Sequence, residues 1–162
     1  MPAARKTKPS AAKTVSPQKQ LDGFIRKFTP AMQKQVKGVL AKMGARLPGA
    51  HQLVYDNYNA LAIGFAAGDR VKDVVFSIAA YPKWVSLFLF AGTTKFNDPK
   101  KLLKGSGTTT RHIVLESPAM LDDPAVKALM AQALELRGNP VPKSPRGKLI
   151  IKSVSAKQRP RR

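Results

Sequence analysis

The sequence predicts a small α+β domain, an antiparallel sheet packed by helices from its N- and C-terminal parts. Three observations predict it. Apolar residues recur at helical spacing near both ends of residues 18–138. Between those ends they alternate, or run unbroken for six or seven residues, at strand length. Short turns join the strand-like stretches, which suits antiparallel neighbours, and the helices flank the strands rather than alternating with them.

Leu21, Phe24, Ile25 and Phe28 open the pattern at i, i+3, i+4 and i+7, the stripe of a short helix. Thr29-Pro30 supplies an N-cap and a first helical residue for a second helix. Met32, Val36, Val39, Leu40 and Met43 line its buried face, Lys34, Lys37 and Lys42 its outer face, and Leu47-Pro48-Gly49 ends it. Ala60–Ala66 alternates large and small residues as a strand, with Leu61, Ile63 and Phe65 on one side. Gly68-Asp69-Arg70 reads as a turn, and Val71–Ala80 as the returning strand. Tyr81-Pro82-Lys83 interrupts the ladder, because proline has no N–H to donate. Val85–Phe90 is apolar on both faces and is expected to be the most buried strand, with Phe88→Ala costing about 3–5 kcal/mol. Asp98-Pro99 is expected to start a short helix through Leu102 and Leu103, ended by Gly105. Arg111–Glu116 is a further strand. Asp123-Pro124 starts the last helix, with Val126, Leu129, Met130, Ala133 and Leu134 as its stripe and Gly138-Asn139-Pro140 as its stop.

Charge divides the chain differently. Of 29 Lys and Arg, five lie in residues 1–20 and eight in residues 138–162, stretches without any of the nine acids. The middle therefore carries only +7 of the net +20. Residues 1–17 read as a disordered basic arm, 18–138 as the folded domain and 139–162 as a basic C-terminal tail. Residues 18–138 are expected to fold without either flank. One patch in the tail, Lys148–Val154, is apolar enough to add an edge strand or dock on a partner, or else belongs to the linker. Basic tails of this kind suit polyanions, so non-specific nucleic-acid binding through the tails, strongly salt-dependent, is one functional expectation.

Several classes of function are excluded or weakened. There is no cysteine for disulfides, thiolate catalysis or thiolate metal sites. The longest apolar stretches, Leu61–Ala67 and Val85–Ala91, are far short of a membrane span, and no apolar run follows the basic start as in a signal peptide. A cytoplasmic location is expected, with no membrane association, no cofactor and an oligomeric state left open. His51 and His112, the only histidines, have no partner at metal-ligand spacing. Asp122-Asp123 sits at a helix start, where capping and the helix dipole account for acids. No Ser-His-Asp set can be argued.

The most site-like stretch is Gly105-Ser106-Gly107-Thr108-Thr109-Thr110-Arg111. Its glycines let backbone amides approach an anion, and Thr108, Arg111 and Lys104 offer a polar shell. It lacks the P-loop spacing, and it also reads as a plain helix-to-strand loop. Asp56 and Tyr58 lie in a polar aromatic segment, Tyr55–Asn59, which reads as a ligand contact or a turn. Trp84, the single tryptophan, stands beside Tyr81 and Lys83 and either stacks a ring or closes the core edge. The leading functional expectation is a non-enzymatic binding domain for a small anionic ligand, its pocket built from Asp56, Tyr58, Trp84, Lys104, Gly105, Gly107, Thr108 and Arg111.

Four blocks taken together resemble the YdhG-like domain-of-unknown-function family. They are Tyr58–Phe65, Tyr81–Phe88, Leu102–Gly107 and Arg111–Ile113, in the family's order over about residues 21–137. The resemblance implies a small α+β domain with an antiparallel sheet and brings no catalytic residues. Many members carry a proline-containing stretch where this chain has Asp56-Asn57-Tyr58-Asn59, which marks a divergent branch. Some members are linked to frataxin-like iron handling. Weak iron(II) sites need clustered carboxylates, and here only Asp122 and Asp123 are adjacent, in a chain whose +20 charge repels cations.

Overall fold

A computed structural model describes residues 15–92 and 95–162. Most of the arm expected at residues 1–17 lies outside the described residues. Its last residue, Pro17, is already helical.

Among the described residues three helices form where the local chemistry calls for them. Helix α1 (Pro17–Ile25) is capped by the Ser16 hydroxyl, which accepts from the Lys19 amide. Helix α2 (Pro30–Arg46) is capped by Thr29 through the Met32 amide, and α3 (Pro124–Leu136) by Asp123 through the Ala125 amide. All three carry proline in the first turn, where the missing N–H has no partner to lose. Gly138 and Asn139, both at positive φ, end α3, with the Asn139 amide on the Leu134 carbonyl.

The described residues also form six strands: β1 (His51–Asp56), β2 (Leu61–Ala66), β3 (Val74–Ala80), β4 (Val85–Phe90), β5 (Thr110–Leu115) and β6 (Leu149–Val154). They form one sheet in the order β5-β4-β3-β2-β1-β6. The first five pair antiparallel with their sequence neighbours, and β6 pairs parallel to β1. The chain is thus a single small α+β domain with a mixed, mostly antiparallel sheet.

The helices bury their stripes against one sheet face. The cross-strand row Val54, Ile63, Ile78, Leu87, Ile113 lies in this core with Val36, Val39 and Met43 of α2 and Leu129 and Met130 of α3. Among the described residues no helix stripe packs on the opposite face. Leu53, Ala66 and Val74 form a smaller cluster there, flanked by Tyr55, Phe90 and Ile150.

Several expectations are corrected. Strand β1 takes in Tyr55 and Asp56, so the turn read around Tyr55–Asn59 narrows to residues 57–59, closed by the Asn57 amide on the Ala60 carbonyl, and Asp56 is a strand residue. The stretch expected as a tail at 139–162 contains β6 and is docked on the domain. Gly49 and Gly147 permit that docking: an added Cβ would fall 1.7 Å from the Pro142 carbonyl oxygen and 1.9 Å from that of Ala50, approaches only glycine allows. No helix forms at 98–103. The Asp98 carboxylate instead accepts the Leu102 and Leu103 amides at 2.9 Å each, an acidic side chain substituting for backbone acceptors. The second long strand starts at Val74, because Asp73 accepts the Arg70 amide and tightens residues 71–73 into a 3-10 turn.

Phe88 is also displaced from its expected place. Val85, Leu87 and Leu89 face the helices, whereas Phe88 is half-buried on the opposite face, 5.1 Å from the His112 ring. Phe88→Ala is therefore expected to cost about 1–2 kcal/mol in denaturant unfolding, below the 3–5 of a fully buried phenylalanine.

Candidate functional site

The residues expected to share one pocket lie at two ends of the sheet. Asp56 pairs with Leu61, Ala80 with Val85, and Val85 with Leu115, so the turns carrying Tyr58 and Trp84 are at one end. Thr110 pairs with Phe90 at the other end, and the loop 104–111 leads into it there. The structure brings Tyr58 and Trp84 to the same end and separates both from Lys104, Gly105, Gly107, Thr108 and Arg111.

The loop is organised from within. The Lys104 and His112 backbones exchange two hydrogen bonds, Gly105 takes φ 97°, and an added Cβ on Gly107 would meet the Thr110 carbonyl at 2.6 Å. Arg111 turns its Nε–H onto the Gly107 carbonyl at 3.0 Å. Thr108 is exposed.

Asp56 is fully buried and faces the protein's own cations. Its Oδ2 accepts from Lys27 Nζ at 2.8 Å and its Oδ1 from Arg161 Nη2 at 2.9 Å. The same Arg161 guanidinium reaches the Asn57 carbonyl and stands 5.8 Å over the Phe28 ring. Burial pushes the Asp56 carboxyl up, but hydrogen bonds from Lys27, Arg161 and Gln158 outweigh it and hold it below the usual carboxylate range. Asp56 is thus a structural anchor for residues 155–162, not a contact open to a ligand.

The other candidates have structural partners. His51 Nδ1 accepts the Lys148 amide at the start of β6. Asp122 pairs with Lys42 and Arg46, while Asp123 caps α3. Among the described residues no three of His, Asp and Glu gather as metal ligands, and no helix is long and apolar enough to cross a membrane.

What remains open is the Trp84 end. Tyr81 and Trp84 stack with ring centroids 4.5 Å apart and planes 16° from parallel, held by the Tyr81 amide on the Trp84 carbonyl. Trp84 is 45% exposed and Tyr58 51%. A groove of about 530 Å³ runs between Tyr81, Trp84, Asn59, Lys83, Arg159 and Pro160. Arg159 reaches it because its amide donates to the Tyr58 carbonyl at 2.9 Å. Sequence reasoning missed Arg159, since only the docking of residues 149–162 brings it beside Trp84.

Docking also moves charge. Four of the 29 bases precede residue 15, so the described residues hold 25 against nine acids, a net +16. Only Lys27, Lys42, Arg46 and Arg161 have a carboxylate within 4.0 Å among the described residues. No family model, curated protein or solved structure matches this chain.

Proposed function

We propose that this protein is a non-enzymatic binder of single-stranded nucleic acid, engaging bases on the Tyr81–Trp84 stack and phosphates through the surrounding cations. The observation that carries the reading is the exposed Trp84 stacked on a half-buried Tyr81 and flanked by Lys83 and Arg159. Every base presents a π-face, so an exposed aromatic platform takes unstacked bases with little sequence preference. A net charge of +16, with few bases neutralised by carboxylates, supplies the phosphate attraction from the folded body. In the loop 104–111 the guanidinium already serves its own carbonyl, so an anion site there has less support.

Fluorescence anisotropy with a labelled oligothymidylate, its matching duplex and polyglutamate tests the proposal. Log K for the single strand is expected to fall with log salt at about −0.7 per phosphate engaged. Trp84→Ala is expected to weaken single-strand binding by about 1–3 kcal/mol with little change in that slope. Trp84, as the only tryptophan, reports stacking directly by fluorescence quenching. Equal affinity for polyglutamate, or no effect of Trp84→Ala on the single strand, would sink the base-stacking reading.

A further inference from the structure

The helix-free sheet face carries a second concavity, unrelated to the Trp84 groove. In the cross-strand row Leu53, Gly64, Ser77, Phe88, the central pair Gly64–Ser77 has almost no side chain to stand up from the sheet. Larger residues rise around it: Tyr55 on β1, Val74 on β3 and Phe90 on β4, with Val71 at the rim and 67% exposed. The result is a mostly apolar cleft of about 420 Å³, within the roughly 300–1,000 Å³ of small-molecule sites.

Its rim is cationic. Lys72 and Arg137 both line it, and neither has a carboxylate within 4.0 Å among the described residues. Arg137 is held by the carbonyls of Val74 (2.9 Å), Phe90 (2.6 Å) and Lys72 (2.9 Å). These bonds use three of the five N–H donors of a guanidinium and leave its full charge in place. Arg137 is thus fixed by neutral partners, half-buried, with donors to spare. The Tyr55 hydroxyl, buried at the cleft wall, has no hydrogen-bond partner among the described residues. A buried polar group in that state calls for an explanation, and a polar atom bound beside it is one.

We propose that this cleft binds a small amphipathic carboxylate, an aliphatic or aryl acid whose apolar body lies over Gly64 and Ser77 and whose carboxylate meets Arg137 and Lys72. The class follows from the two halves of the site. An apolar trough rewards a hydrocarbon body, and two cations without counter-ions reward one negative head over an alcohol or an amine. A wholly polar anion has nothing to gain from the trough.

Decanoate, decanol and decylammonium, titrated into the full chain and followed by amide chemical shifts, test the proposal. Decanoate is expected to shift the Gly64, Val74 and Ser77 amides saturably, with decanol about tenfold weaker and decylammonium weaker still. Lys72→Gln, at an exposed position, is expected to weaken decanoate about three- to tenfold. Ser77→Leu, which fills the trough, is expected to abolish those shifts. Equal binding of decanoate and decylammonium, shifts scattered over surface bases, or unchanged binding by folded Ser77→Leu would each overturn the assignment. Should Ser77→Leu fail to fold, the Lys72→Gln affinity and the wild-type shift map decide.

Discussion

A chain ending at residue 138 is expected to lose its cooperative thermal transition. Truncation there removes β6, uncovers the β1 edge and leaves Leu53, Val54 and Tyr55 without Ile150 and Ile151 beside them. It also takes away Arg161 and Gln158, leaving the buried Asp56 with Lys27 alone of its side-chain hydrogen-bond partners. Folding free energies of about 5–15 kcal/mol leave little margin for losing an edge strand and a buried counter-ion together. Differential scanning calorimetry of the full chain and the truncated chain checks this. A two-state transition within a few degrees of the full-length midpoint would mean that β6 is an ornament on a self-sufficient domain. Loss of residues 139–162 also removes Arg159 from the Trp84 groove, so single-strand affinity is expected to fall with the fold.

Asp56→Ala is expected to destabilise the protein by about 3–5 kcal/mol, the range for removing one partner of a buried ion pair. The cost comes from what is left behind: the Arg161 side chain is 2% exposed, and without Asp56 its charge is buried against carbonyls and the Phe28 ring only. Replacing both partners with apolar residues, Asp56→Leu with Arg161→Met, is expected to cost less than the single change, because the charge left without its partner, Lys27, is 41% exposed and can turn to water. Urea unfolding of both single variants and the double variant gives the coupling directly.

The same pair sets a pH dependence. The Asp56 carboxyl is held below its ordinary value in the folded protein, so the unfolded chain takes up its proton first as pH falls. Its stabilisation is present in full above the unfolded value of about 3.9 and disappears as pH drops through the lower folded value. The stability gap between the wild type and Asp56→Asn is therefore expected to be flat from neutral pH to about pH 5 and to shrink below about pH 4. A gap that stays constant to strongly acid pH would show that the carboxylate charge contributes nothing.

Local chemistry made most of the fold legible. Ser16, Thr29 and Asp123 each precede a proline and cap a helix, which needs only neighbouring residues. The alternation in 61–66, the run in 85–90 and the turn residues between strands fixed four strands and their antiparallel order. Tyr81 and Trp84 are three residues apart, so their proximity was legible too.

Strand β1 was not, and β6 was legible only as one of several alternatives for its apolar patch; the reason is distance along the chain. In His51–Asp56 the buried Leu53 and Val54 face opposite sides and a carboxylate occupies the last core position, so neither alternation nor an apolar run stands out. That carboxylate is tolerable only because Lys27 lies 29 residues before it and Arg161 lies 105 residues after it. Leu149–Val154 reads equally as an edge strand, a docking patch or linker until the β1 edge accepts it. By itself the sequence determined the class, the three helices and the strands built from neighbouring hairpins. Only the tertiary structure decided that the C-terminal bases belong to the folded body, that Asp56 is an anchor, and which candidate residues share an end of the sheet. Caps and hairpins are set by residues a few positions apart. A parallel edge strand and a buried ion pair exist only once distant segments have already met.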